Sequence, residues 1–408
     1  MKRTRSLLSL FILIILIPNT IVNAKINSTK PEINDVIPVT AIADRQMELQ
    51  TPSAVLIEGS TGTIIYEKNK DDRLPPASVT KIMTLLLIFE ALEEGKISLM
   101  EDVSVTEHAA SMGGSQVYLE PYEVQNVDTM IRCISIASAN DASVAMAEHI
   151  AGSHEEFVAR MNQRAKELGM NNTNFVNCTG LDADNHYTTA YDIALMSREL
   201  ITRFPQISNY ATVWMDTFVH TTKKGRTEFG LTNTNKLIKS YKGITGLKTG
   251  STSIAKYCLS ATAKRDNMDL IAVIMAAPDT KTRFMEAAKL LNYGFANYSL
   301  YVDELKDISL EPVRISKGVS DYVFGNVAGD FTYLCPKGKT PDNIRKEIVL
   351  YDKVPAPITT EDKIGDIIYY YDNEEIGRVD ILAKENIDKA GYKDNFIKSL
   401  KKFFLAYN

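Results

Sequence analysis

The period of the apolar positions changes several times along the chain, and each change marks an element. Ala54-Val55-Leu56-Ile57 and Thr63-Ile64-Ile65-Tyr66 flank Glu58-Gly59-Ser60-Thr61-Gly62, the form of two strands around a glycine-containing turn. A longer apolar run, Ile82 to Phe89, follows Pro75-Pro76-Ala77-Ser78-Val79-Thr80-Lys81. Prolines open a helix but do not sit inside one, so this spacing predicts a helix from near Ser78 to the Glu93-Glu94-Gly95 stop. Leu85 to Phe89 leave no polar stripe on it, which predicts burial on all sides. Between residues 127 and 169 the period is helical in three blocks: Met130, Ile131 and Ile134; Val144, Met146, Ala147 and Ile150; Phe157, Met161, Ala165 and Leu168. Ser138-Ala139-Asn140 and Gly152-Ser153 separate them. Thr188-Thr189 caps a further amphipathic helix, residues 257–263 and 270–276 form a second hairpin, and a helix spans 280–298.

Hairpin, helical block, hairpin, helix is an α+β order, in which the two sheet segments pair with each other and helices cover them. That places one domain at 51–298. From residue 310 onward the runs are short and β-like, as in Glu347-Ile348-Val349-Leu350 and Gly377-Arg378-Val379-Asp380-Ile381-Leu382, which predicts a small all-β sandwich over 299–385. Residues 386–408 differ again. Phe396, Leu400, Phe403, Phe404 and Tyr407 recur at helical spacing against Lys393, Lys398, Lys401 and Lys402, the pattern of a helix lying on an anionic membrane surface. At the other end Lys2, Arg3 and Arg5 precede an apolar run broken by Pro18, and Val22-Asn23-Ala24 offers a cleavage site. This predicts a signal peptide over 1–24, a linker over 25–50 and export to the outer face of the cytoplasmic membrane.

Composition narrows the function classes. The net charge of -5 and pI near 5.7 give no sign of nucleic-acid binding. The five histidines form no His-Glu-x-x-His arrangement and no cluster with cysteine, so neither a metal nor a cofactor is expected. Cys133, Cys178, Cys258 and Cys335 lack pair spacing and are expected as free thiols.

Three short motifs carry the chemistry: Ser78-Val79-Thr80-Lys81 at a buried helix start, Ser138-Ala139-Asn140 between two helices, and Lys248-Thr249-Gly250 on a glycine-rich strand. Residues three apart on a helix are neighbours, which brings the Lys81 amine within reach of the Ser78 hydroxyl. In this order the three motifs resemble the signature of the penicillin-recognising serine acyltransferases. The flanking text, including Gly180-Leu181-Asp182 and His186-Tyr187-Thr188-Thr189-Ala190-Tyr191-Asp192, is similar to the low-molecular-mass D-alanyl-D-alanine carboxypeptidases, serine peptidase family S11. The likeness runs from about residue 53 to the end. It implies a β-lactamase/transpeptidase-like domain, an antiparallel sheet with helices on both sides and a helical subdomain, then a β-domain and a membrane-associating helix.

The resemblance also implies a substrate, a peptidoglycan stem peptide ending in D-Ala-D-Ala, with β-lactam antibiotics as covalent inhibitors. Ser78 is then the nucleophile and Lys81 its base, neutral through burial and a neighbouring cation such as Lys248. Ser138 relays a proton to the leaving amine, Asn140 holds Lys81 and the substrate amide, and Lys248 with Thr249 binds the terminal carboxylate. Gly250 completes that motif, and the oxyanion lies between the backbone amides of Ser78 and Ser251.

The chain departs from the family pattern at Pro121-Tyr122-Glu123, where a Gly-Glu turn is usual, at Cys178, and at Lys256, which replaces a frequent glycine. His186 is expected to pack its loop, and Arg283 to be a solvated helix residue. Two rival readings stay open. A serine β-lactamase shares the motifs, and Glu167-Leu168-Gly169-Met170-Asn171 approaches its Glu-x-x-Leu-Asn pattern, although Glu167 falls on a continuous amphipathic helix. A catalytically silent peptidoglycan-binding protein would keep the cleft, although all the reacting side chains are intact.

Overall fold

The computed structural model describes residues 47–339 and 341–405. The predicted signal peptide and residues 25–46 of the predicted linker lie outside the described residues. Strand β1 (Ser53–Glu58) pairs antiparallel with β2 (Ile64–Lys68) through the predicted turn. A tight 3-10 turn at Ala77–Thr80 then leads into α1 (Lys81–Glu93). The α-helix thus starts three residues after Ser78, because Pro75 and Pro76 carry no N–H and Ala77 turns through φ 49°. Short elements follow, β3 (Asp102–Ser104), α2 (Glu107–Ala110) and β4 (Val124–Asn126). The three predicted helices are α3 (Val127–Ala137), α4 (Asn140–Ala151) and α5 (His154–Glu167). Helix α6 (Ala190–Arg203) is capped by the Thr189 hydroxyl, as its sequence predicts.

After the short α7 (Ser208–Ala211) comes a hairpin that the apolar periodicity does not predict, β5 (Met215–Thr222) and β6 (Gly225–Thr232). Helix α8 (Leu237–Ser240) precedes β7 (Ile244–Thr252), β8 (Lys256–Arg265) and β9 (Met268–Ala277), and α9 (Thr280–Asn297) closes the unit. Among the described residues the main sheet runs β2-β1-β9-β8-β7. The two predicted hairpins therefore pair with each other, Leu56 standing opposite Ala272.

Strand alternation explains the layers. Val55, Ile57, Ile271 and Val273 point into one core with α1 and the helical block, while Leu56, Leu270, Ala272 and Ile274 point into the other, against Ala287, Leu290 and Leu291 of α9. Helices on both faces account for the near-complete burial of β1 and β9. The arrangement leaves β7 as an edge strand with its motif beside the start of α1.

The remaining strands are β10 (Tyr298–Asp303), β11 (Val313–Ser316), β12 (Tyr322–Val323), β13 (Gly325–Val327), β14 (Phe331–Pro336), β15 (Ile344–Leu350), β16 (Lys353–Pro355), β17 (Lys363–Tyr371) and β18 (Glu374–Ala383). They enclose a separate core that includes Leu305, Val323, Ile367 and Ile381. In it Phe331 stacks on Tyr369 with ring centroids 3.6 Å apart, and the Tyr369 hydroxyl donates to Asp303 Oδ2 at 2.7 Å. Helix α10 (Tyr392–Leu405) ends the described chain; it starts later than the predicted 386, because Ile387 is buried in the β-domain core and bridges Ile358. Lys398 ties it back by donating to the Gly318 carbonyl at 2.9 Å, and Tyr392, Phe396, Ile397 and Phe404 stand exposed on it. Among the described residues no helix is long and apolar enough to cross a membrane.

Candidate active site

Ser78 and Lys81 are three residues apart across a 3-10 turn, the geometry in which i and i+3 eclipse. Lys81 Nζ lies 3.1 Å from Ser78 Oγ. Its other partners are Asn140 Oδ1 at 2.6 Å and the Thr179 carbonyl at 2.7 Å. Both of those are pure acceptors, so they take two N–H bonds, and the third direction of the amine faces the hydroxyl. A neutral amine satisfies all three contacts, with its lone pair accepting from Ser78. Lys81 is fully buried, and burial brings its pKa down to about 7, against an opposing pull from Cys178 and Asp141.

The second motif follows from how α3 ends. Ser138 caps that helix in the left-handed conformation, φ 61° and ψ 33°, which turns the chain sharply into α4. Asn140 opens α4, and its Nδ2 donates to the Gly113 carbonyl at 2.7 Å, fixing the amide so that its oxygen faces Lys81. Ser138 Oγ accepts from Lys248 Nζ at 2.8 Å, joining the second motif to the third.

Lys248 and Thr249 are buried in β7. Lys248 also donates to the Thr249 carbonyl at 3.0 Å, and Thr249 Oγ1 meets Thr234 Oγ1 at 2.6 Å. Burial, then the charges of Lys81 and Arg283, hold Lys248 well below the ordinary lysine range. Gly250 has a steric reason to be glycine, since a Cβ there would lie 2.8 Å from the Ser78 nitrogen and 2.9 Å from the Pro76 oxygen. The strand can therefore approach the Ser78 backbone closely. Ser251 is exposed one residue further along the same strand. The three motifs thus lie together, Lys81 bonding Ser78 and Asn140, Lys248 bonding Ser138, and Gly250 backing onto the Ser78 backbone with Ser251 next on the strand.

Arg283 corrects the sequence reading. It is buried rather than solvated, and its Nη1 donates to the carbonyls of Gly250 at 3.0 Å and Cys258 at 3.2 Å. The guanidinium thereby braces β7 behind the third motif. Its neighbours at helical spacing, Ala287, Leu290, Leu291 and Gly294, are buried too, so the α9 periodicity could have placed Arg283 on the inner face. Asp141, next to Asn140, was likewise passed over; its carboxylate accepts from the amides of Val117 at 3.1 Å and Leu119 at 3.1 Å.

His186 packs its loop. Its Nδ1 accepts from the Val176 amide at 2.9 Å, which leaves Nε2–H to donate to Thr80 Oγ1 at 2.9 Å. Burial lowers the ring's pKa to about 4. Of the departures, Tyr122 and Lys256 take φ 67° and φ 57°, the left-handed region that glycine occupies without strain. Both turns survive without their glycine. Cys178 is buried, its thiol pushed up to about 12 by burial, and all four cysteines are free. Glu167, the carboxylate a β-lactamase would need, lies on α5 and bonds Gln163 Nε2 at 3.0 Å and Arg164 Nη1 at 3.4 Å on its own helix. Among the described residues no cluster of His, Cys, Asp and Glu is placed to hold a metal ion.

A five-stranded antiparallel sheet between two helical layers, followed by a small β domain, is the architecture of the penicillin-binding serine hydrolases. Comparison with known proteins narrows the class. The D-alanyl-D-alanine carboxypeptidase family, peptidase S11, matches residues 40–279, and the C-terminal domain of penicillin-binding protein 5 matches residues 305–389. The D-alanyl-D-alanine carboxypeptidase DacF of Bacillus subtilis is 44% identical over 343 residues, covering 84% of this chain and 87% of that protein. Penicillin-binding protein 5 from Haemophilus influenzae superposes with a TM-score of 0.73 at 30% identity, covering 84% of this chain and 99% of that one. Penicillin-binding protein D2 from Listeria monocytogenes, solved in an ampicillin-bound form, superposes with a TM-score of 0.54 at 31% identity over 61% of this chain and 99% of that one. The chain belongs to the D-alanyl-D-alanine carboxypeptidase family and is a serine-peptidase hydrolase.

Proposed function

We propose that this protein removes the terminal D-alanine from peptidoglycan stem pentapeptides through an acyl-enzyme on Ser78. The observation that carries the reading is the Lys81 amine, fully buried, 3.1 Å from Ser78 Oγ and otherwise bonded to acceptors alone. Neutral Lys81 takes the Ser78 proton as Oγ attacks the carbonyl carbon of the penultimate D-alanine. The backbone amides of Ser78 and Ser251 stabilise the resulting oxyanion. Lys81 gives up that proton, which Ser138 relays to the departing nitrogen; the C–N bond breaks, and free D-alanine leaves. Water then attacks the ester while Lys81, neutral again, takes the water's proton and returns it to Ser78 Oγ as the shortened peptide departs. Lys248 and Thr249 hold the substrate's terminal carboxylate, Gly250 lets the strand approach, and Asn140 orients both Lys81 and the substrate amide.

A β-lactam places a strained amide at the same carbonyl position, so it acylates Ser78 and stays. The ampicillin-bound relative supports this extension. We also propose that the protein is exported by its amino-terminal signal peptide and rests on the outer face of the cytoplasmic membrane through its carboxyl-terminal helix, α10. The exposed Phe396 and Phe404 beside Lys393 and Lys401 support that reading. The test of the activity is release of D-alanine from a soluble D-Ala-D-Ala pentapeptide. Wild-type protein releases it and Ser78→Ala does not; equal release by the two would overturn the reading.

A further inference from the structure

Tyr118 is a large side chain held out of the core by a rigid loop. It is 64% exposed, yet Val117 and Leu119 on either side are buried, and its φ of 61° is one that bulky residues rarely adopt. The second motif holds that loop. Asp141 accepts from both flanking amides at 3.1 Å, the Asn140 amide donates to the Ser115 carbonyl at 2.7 Å, and the Asn140 side chain donates to the Gly113 carbonyl at 2.7 Å. The Tyr118 ring meets Phe229 of β6 edge-on, with centroids 5.9 Å apart. The β5–β6 hairpin is itself fastened to the Ser138-bearing helix by Arg132, whose Nη1 donates to Asp216 Oδ2 at 2.8 Å. Shortly beyond β6, Thr234 bonds Thr249 at 2.6 Å. The ring pair thus joins the loop that bonds Asn140 to the hairpin that leads to Thr249, the two elements that Ser138 and Lys248 also bridge.

We propose that Tyr118 and Phe229 form a stop at the leaving-group end of the cleft. The stop selects substrates whose departing amine belongs to a single terminal amino acid over cross-linked peptides, whose departing amine sits on the side chain of a second peptide. The proposal rests on the Ser78 reading above. In both reactions the acyl group passes to Ser78 Oγ, the same kind of amide C–N bond breaks, and the departing nitrogen gains one proton. Only the bulk behind that nitrogen differs, and the rings meet that bulk. An edge-on aromatic pair on a loop bonded at four points yields little, so size is discriminated sterically.

The experiment compares kcat/KM of the full chain for a D-Ala-D-Ala pentapeptide and for a purified cross-linked muropeptide dimer. Tyr118→Ala and Phe229→Ala are expected to raise the dimer-to-pentapeptide ratio by about tenfold, and Tyr118→Phe, which keeps the ring, to leave the ratio within about twofold of wild type. An unchanged ratio in the alanine variants, or an equal rise in Tyr118→Phe, overturns the stop. Should Tyr118→Ala fail to fold, Phe229→Ala carries the same comparison. Failure of the wild type to release D-alanine from the pentapeptide would instead refute the Ser78 reading, so the two failures are distinct.

Discussion

Lys81 Nζ stands 3.1 Å from Ser78 Oγ and 2.6 and 2.7 Å from the Asn140 amide oxygen and the Thr179 carbonyl, which accept from it. In the neutral amine these acceptors take both hydrogens and leave the lone pair facing Ser78 Oγ, the arrangement that the proposed base needs. Its pKa sets when that base works.

Burial brings Lys81 to about 7, far below the usual lysine value of about 10.4. Below that pH the amine is an ammonium and cannot take the Ser78 proton; above it the amine is free. The rate of acylation by a fluorescent penicillin should therefore rise with pH through about 7 and level off above it. Lys81→Arg, whose guanidinium stays protonated, should lose about 10²- to 10⁴-fold at every pH. A flat profile from pH 5 to 9 would contradict the assignment.

Gly250 permits the approach of β7 to the Ser78 backbone. A methyl group there meets the backbone nitrogens of Ser78 and Val79 at 2.8 and 2.9 Å, so Gly250→Ala must push the strand away. A shift of an ångström at reacting atoms costs about 10²-fold. Acylation should fall by about that factor while thermal unfolding shows the protein still folded.

The two turns that lack their usual glycine are sites of stored backbone strain. Lys256 is exposed at φ 57°, and a side chain in that region costs about 1–2 kcal/mol, partly offset by the entropy that glycine loses on folding. Lys256→Gly should stabilise the protein by up to about 1 kcal/mol, read as a raised denaturant midpoint at unchanged slope.

Helix α10 exposes Phe396 and Phe404, with Lys393 and Lys401 exposed beside them. Phe396→Ala with Phe404→Ala should weaken sedimentation with anionic phospholipid vesicles by at least about tenfold, since each buried phenylalanine contributes about 1.5–3 kcal/mol. Turnover of a soluble pentapeptide should not change. Equal sedimentation of the double variant would show that another surface makes the contact.

Much of this site was legible because its parts are local. Ser78 and Lys81 meet through a spacing of three, and the pairing of the end hairpins follows from their apolar runs. Where reading stopped, the cause was distance or ambiguity. Arg283 reaches the third motif from a helix 35 positions downstream, and an arginine in an amphipathic helix looks solvated until its inner-face register is traced. The β5–β6 hairpin has largely exposed strands and a polar turn, so no apolar alternation announces it. The spacing predicts α1 from near Ser78 rather than Lys81, because a 3-10 turn and an α-helix share the i, i+3 neighbour and sequence spacing cannot separate them. That ambiguity left the chemistry untouched, since either geometry brings Lys81 to Ser78.

The central claim is that Ser78 carries the acyl group, and intact-protein mass spectrometry after brief exposure to benzylpenicillin tests it most directly. The account predicts that the mature protein gains the mass of one penicillin, that proteolytic mapping places it on the peptide containing Ser78, and that Ser78→Ala gains nothing. Label on another peptide, or an undiminished gain in Ser78→Ala, would contradict it.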